Sequence, residues 1–181
     1  MIQVLVFLAV FVISAISAFS QSGEVDFSGK WSLDIEASKL EARDRIESMT
    51  MDVSQSAAEI TIGTVTKRAA PPDGGMGGRG GGMGMGRPGG DAKLTYSLDG
   101  KEKTIDQATP MGSVPVSLKA KMDSGKLKLS QTRTISGPMG EISLTTKEEW
   151  SLSSDGKTLT VKRETITPRG TMSSTLVFTK N

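Results

Sequence analysis

Period-two alternation runs through almost the whole chain after residue 21 and constrains the fold more than any other feature. In "VSLKAKM", Val116, Leu118, Ala120 and Met122 fall on one face, with Ser117, Lys119 and Lys121 on the other. "KLKLSQTRTI" alternates through Leu127, Leu129 and Ile135. "EISLTTKEEWSL" does so through Ile142, Leu144, Trp150 and Leu152. "AKLTYSL" presents Ala92, Leu94, Tyr96 and Leu98, and "SMTMDVS" presents Met49, Met51 and Val53. A strand with one buried face and one wet face reads this way, because successive side chains point to opposite sides of a sheet.

Turn residues separate these runs: Asp99-Gly100, Asp123-Ser124-Gly125, Gly137-Pro138-Met139-Gly140 and Ser154-Asp155-Gly156. In "SGKWSL", "DGKEKT", "SGKLKL" and "DGKTLT", Gly suits the left-handed end of a turn and Lys opens the next strand on its wet side. About ten strands follow, at 28–35, 46–55, 58–67, 92–98, 101–106, 113–122, 126–135, 141–152, 157–167 and 172–180. The one helical candidate is "EASKLEARD", Glu36 to Asp44. So many sequential antiparallel strands bend and close to remove their edges. The expectation is an all-β, up-and-down meander of about 8–10 strands forming a barrel, with a half-open barrel or sandwich as the alternative.

The chain contains no Cys and no His. Disulfides, thiol nucleophiles, Ser-His-Asp triads and His- or Cys-ligated zinc are therefore excluded. With 22 basic and 20 acidic residues interleaved, no basic stripe of the kind nucleic acid requires is visible. No cofactor-binding motif is present. The N-terminal "IQVLVFLAVFVISAISAFSQ" has an apolar stretch from Val4 to Ile13, followed by the small-x-small pattern Ala18-Phe19-Ser20. It reads as a signal peptide over residues 1–20. The expectation is an exported protein, periplasmic or extracellular and bacterial, with one barrel domain over 21–181 and no membrane span after cleavage.

Residues 68–91 hold "PPDGGMGGRGGGMGMGRPGGD", between two strand patterns. Glycine loses the most backbone entropy on ordering, and only Met here offers apolar surface to offset it. The segment reads as a long disordered hairpin loop. Its lack of a Gly-Lys-Ser/Thr ending excludes a phosphate loop. Thioethers of Met76, Met83 and Met85 are the alternative, as soft ligands for Cu(I).

Candidate site residues emerge from register. Matching the apolar faces around Gly137–Gly140 sets Leu127 opposite Trp150, Leu129 opposite Glu148, Gln131 opposite Thr146 and Arg133 opposite Leu144. The next hairpin sets Leu152 opposite Leu159, Trp150 opposite Val161 and Glu148 opposite Arg163. Gln131, Arg133, Thr146, Glu148 and Arg163 are thus polar residues in phase with the core. An inward charge is costly unless paired or wet. A buried ion pair between Glu148 and Arg163 is one reading. A cavity whose polar groups orient a ligand is the other, with Arg133 as the candidate for an anionic headgroup. On the outer face, Glu149 with Lys162 and Lys147 with Glu164 form a solvated charge ladder, contributing about 0.2–1 kcal/mol per pair.

The opening "FSGKWSLDIEASKL", with Phe27, Gly29 and Trp31, resembles the Gly-x-Trp start of the lipocalin and fatty-acid-binding (calycin) barrels. "LSSDGKTLTV" and "LVFTKN" resemble the close of exported bacterial proteins with lipocalin-like domains. The resemblance implies a lipocalin-like barrel in which Trp31 closes one end beside Gly29, with Trp150 as a further core or pocket wall. It implies an Arg from a late strand packing across that Trp, for which Arg163 is the candidate. The later Thr-Asp-Tyr motif of lipocalins is missing.

The functional expectation is a non-enzymatic, exported protein binding a small hydrophobic or amphipathic molecule. A structural or interaction module with a filled barrel is the alternative, its outer face or loop meeting an envelope partner. An enzyme working through Glu148 or Asp52 with Lys is a third.

Overall fold

The computed structural model describes residues 25–41, 44–69, 92–109, 112–137 and 140–181. The N-terminal segment expected to be a signal peptide and the glycine-rich residues 70–91, with Met76, Met83 and Met85, lie outside the described residues. Ten antiparallel strands occur in chain order: β1 Gly29–Lys39, β2 Ile46–Gln55, β3 Glu59–Arg68, β4 Ala92–Ser97, β5 Asp99–Thr109, β6 Gly112–Asp123, β7 Lys126–Gly137, β8 Gly140–Leu152, β9 Thr158–Thr167 and β10 Gly170–Lys180. They form one sheet in the order β4-β3-β2-β1-β10-β9-β8-β7-β6-β5. Every chain neighbour except β4 and β5 is paired, and β1 pairs with β10. The sheet curls so that β4 and β5 approach each other without a backbone ladder. The result is a nearly closed, calycin-like barrel with one seam.

The alternating residues point inward as their pattern requires. Val116, Leu118, Ala120, Leu127, Leu129, Trp150, Leu159, Val161, Leu176 and Phe178 all lie in one continuous buried core with Met49, Met51, Val53 and Tyr96. The expected register is the observed one: Leu127 opposes Trp150, Gln131 opposes Thr146, Arg133 opposes Leu144 and Glu148 opposes Arg163.

Three expectations about elements change. The helical candidate Glu36–Asp44 begins as strand: β1 continues through Lys39, and Asp44 closes a 3₁₀ turn by donating its N–H to the Glu41 carbonyl at 2.8 Å. Asp34 accepts the Ala37 N–H at 3.0 Å, bulging the strand, and Ser38 Oγ then accepts the Val177 N–H of β10 at 2.9 Å. Docking on β10 thus outweighs the helix propensity of Glu, Ala, Lys and Leu. The loop does not begin at residue 68, because Arg68 is the last residue of β3 and pairs with Ile46. β5 is longer than the expected 101–106, extending over Asp99–Thr109 along β6.

Candidate functional site

Inward residues sort by height along the barrel. At one end they are apolar and aromatic. Phe27, Trp31, Leu127, Trp150, Leu159 and Phe178 are almost wholly buried there. The Trp31 indole N–H donates to the Phe27 carbonyl at 3.0 Å, and the Phe27 and Trp150 rings meet edge to face at 6.0 Å. The cation over Trp31 is Lys180, whose Nζ lies 5.2 Å from the ring centroid, where the resemblance implied an arginine. Arg163 is occupied elsewhere. Gly29, at φ +138°, leaves room for that lysine, since a Cβ would stand 2.6 Å from Lys180 Cε.

Toward the other end the inward positions turn polar. Glu148 on β8 accepts from Arg163 Nε on β9 at 2.7 Å through one oxygen and from Trp150 Nε1 at 2.7 Å through the other. The two ion-pair side chains are 14% and 15% exposed, so the contact is shielded from water and anchors both groups. Gln131 and Arg133 on β7 face each other along the strand. With its amide oxygen turned toward the guanidinium, Gln131 accepts from Arg133 Nε and Nη2 at 3.0 and 3.1 Å. Thr146 and Thr165 are buried beside them in register, opposite each other on β8 and β9.

Tyr96 joins this layer from β4. Burial pushes its hydroxyl well above the ordinary tyrosine value, and the Glu148 carboxylate adds to the rise, while Arg133 and Arg163 oppose it. Burial likewise pulls the Arg133 guanidinium below its ordinary value, against the pull of Tyr96. Residues from β4, β7, β8 and β9 therefore share one electrostatic cluster. The period-two pattern marked Tyr96 only as a core position. Its inclusion could have been found only from the fact that a buried Tyr hydroxyl needs polar company.

A pocket of about 200 Å³ adjoins this layer. Leu40, Ile46, Met172 and Leu176 supply its apolar walls, and Arg68, Arg163 and Thr165 its polar ones, with Glu41 and Asp44 at the β1–β2 connection. Arg163 thus belongs both to the interior cluster and to the pocket. Its Nε is held by Glu148, and its Nη groups make no hydrogen bond among the described residues. Arg133, Gln131, Glu148 and Thr146 do not line the pocket. Arg68 does, and it escaped the sequence reading because it stands where the strand pattern dissolves into glycine.

The outer ladder differs in detail from expectation. Glu149 faces Lys162 and Lys147 faces Glu164 in register, but the ion pair that Glu149 makes is with Lys126, at 2.8 Å. Asp52 is exposed on the outer face of β2, so it shares no site with Glu148. No group of three or more acidic side chains is placed to hold a metal among the described residues.

No family model matches the chain, and no curated protein sequence matches it. Solved structures do. A secretory abundant heat soluble protein from Ramazzottius varieornatus has a TM-score of 0.50 at 12% identity, over 85% of this chain and 94% of that one. Zebrafish ileal bile acid-binding protein complexed with cholic acid gives 0.48 at 16% identity, over 86% and 98%. Schistosoma mansoni fatty acid binding protein in complex with arachidonic acid gives 0.45 at 15% identity, over 88% and 99%. At such identities the likeness is one of fold.

Proposed function

We propose that the chain is an exported, non-enzymatic barrel protein that holds a compact amphipathic anion at its polar end. One observation carries the reading: Arg163 is fixed through Nε by Glu148, while its Nη donors, at the wall of an apolar-sided pocket, make no hydrogen bond among the described residues. A guanidinium held in this way loses little side-chain freedom on binding an anion and offers two parallel donors to a carboxylate. Arg68 adds positive charge, and Leu40, Ile46, Met172 and Leu176 receive the apolar part. The volume of about 200 Å³ is below the range of roughly 300–1,000 Å³ usual for drug-sized ligands, which favours a short-chain occupant. Arg133, Gln131, Thr146 and Tyr96 belong to the neighbouring polar cluster and do not line it. Glu148 is committed to two donors and is poorly placed to move a proton. Export, with cleavage after Ser20, remains part of the proposal on the strength of the N-terminal pattern alone.

The test is calorimetric titration with octanoate and with octanol. Octanoate binds and octanol does not. Arg163→Lys, which keeps the charge but loses the fork, weakens octanoate about tenfold or more. Met172→Trp fills the pocket and abolishes binding without altering charge. Equal affinity for the acid and the alcohol, or undiminished binding by Met172→Trp, would overturn the reading.

A further inference from the structure

The outer wall of β6–β9 carries a pattern that the interior pocket does not use. Two cross-strand rows run side by side there: Lys119–Ser130–Lys147–Glu164 and Lys121–Lys128–Glu149–Lys162. Lys121 and Lys128 stand directly opposite each other, a like-charge pairing that weakens a sheet. Local compensation is partial. Asp123 holds Lys128 at 2.6 Å, Glu149 is spent on Lys126 at 2.8 Å, and Glu102 and Asp99 of β5 stand opposite Lys119 and Lys121 in register. Lys119, Lys121, Lys147 and Lys162 make no ion pair among the described residues.

A depression of about 430 Å³ lies at Ser130, lined by Lys119, Lys121, Lys128, Lys147 and Lys162 along with Leu129, Glu148, Glu149 and Glu164. Strands sit about 4.8 Å apart, so Lys119 and Lys147, two strands apart, start roughly 10 Å from each other and can both reach over the short serine.

We propose that this wall docks onto the phosphate headgroups of an anionic lipid bilayer. Lysines act as point charges without a demand for fixed bidentate geometry, which suits a fluid surface. Each exposed lysine contributes little toward one small anion, so an array of them rewards a surface presenting many phosphates at once. No aromatic residue lines the depression, which removes the stacking platform that single-stranded nucleic acid uses. The Lys121–Lys128 repulsion, which Asp123 relieves only in part, is a stability cost that a polyanionic partner would offset.

The experiment is co-sedimentation of the protein with phosphatidylcholine vesicles, with and without phosphatidylglycerol. Binding requires phosphatidylglycerol and declines as salt is added. The Lys119→Gln/Lys147→Gln double variant lowers the partition coefficient about thirtyfold. A second double variant, Lys67→Gln/Lys101→Gln, removes the same charge from other strands and leaves partition unchanged. Ser130→Glu, which sets a carboxylate between the two lysines, reproduces the loss. Matching urea midpoints verify that the folds are intact. Three results overturn the proposal: equal binding to neutral vesicles, an equal loss in the control double variant, or displacement by inorganic phosphate beyond that of chloride at matched ionic strength. The last result would make the depression a small-anion site.

Discussion

Tyr96 is the single tyrosine of the chain and its hydroxyl is enclosed by the barrel. Its ionisation is opposed first by burial and then by Glu148, so its folded pKa lies above the unfolded value of about 10. Above that pH the unfolded chain releases a proton that the native state retains. Stability is therefore fully present below about pH 10 and is lost as pH climbs toward the folded pKa. The urea midpoint is expected to fall in this window, and to fall less in Tyr96→Phe. The phenolate absorbance of the wild type is expected to rise only as unfolding proceeds. Phenolate absorbance tracking pH near 10 in a fully folded protein would refute the enclosure. At this scale the in-or-out placement of Glu148, Arg163, Gln131 and Arg133 was legible, because a strand with one buried face permits only two orientations. The neighbours of Tyr96 were not, because they arrive from three strands on other parts of the wall.

The hairpins show how short stretches set the elements. Ser124 and Gly125, with φ of 51° and 77°, connect β6 to β7 in two left-handed residues, and Asp123 pairs with Lys126 across them. That is the primed turn whose twist matches the strands it joins. Serine pays a conformational cost there that asparagine pays less of. Ser124→Asn is therefore expected to raise stability by about 0.5 kcal/mol, measured by urea denaturation. A decrease would mean that the Ser124 hydroxyl, which donates to Asp123 at 3.3 Å, outweighs the backbone term. The segment Glu36–Asp44 failed as a helix for a reason at this same scale. Its helix-forming composition is real, but the partner that turned it into strand is β10, at the opposite end of the chain.

At the scale of the molecule, the barrel is continuous except between β4 and β5, each of which is hydrogen-bonded to a neighbour on one side only. β8 and β9 lie inside the ladder, with unbroken register to partners on both sides. Hydrogen exchange is expected to be slowest in β8 and β9 and fastest in β4 and the outer edge of β5, since opening an edge breaks one ladder instead of two. Uniform protection across all ten strands would indicate that the seam is sealed by hydrogen bonds in solution. The seam also places Tyr96, on β4, at the border of the polar cluster, close to the least cooperative part of the wall.

The amino-acid sequence by itself determined the strand content, the turn positions and the register of β7, β8 and β9, with Glu148 facing Arg163 and Arg133 facing Leu144. Those properties depend on alternation and on turn chemistry, which act over a few residues. Only the tertiary structure decided which inward residues share a pocket. It set Arg68, Arg163 and Met172 around one opening that Arg133 does not line, put Lys180 over Trp31 where an arginine was expected, and brought the lysines of four strands around one depression. Distances across a barrel depend on how a long sheet closes on itself, and period two carries no information about closure.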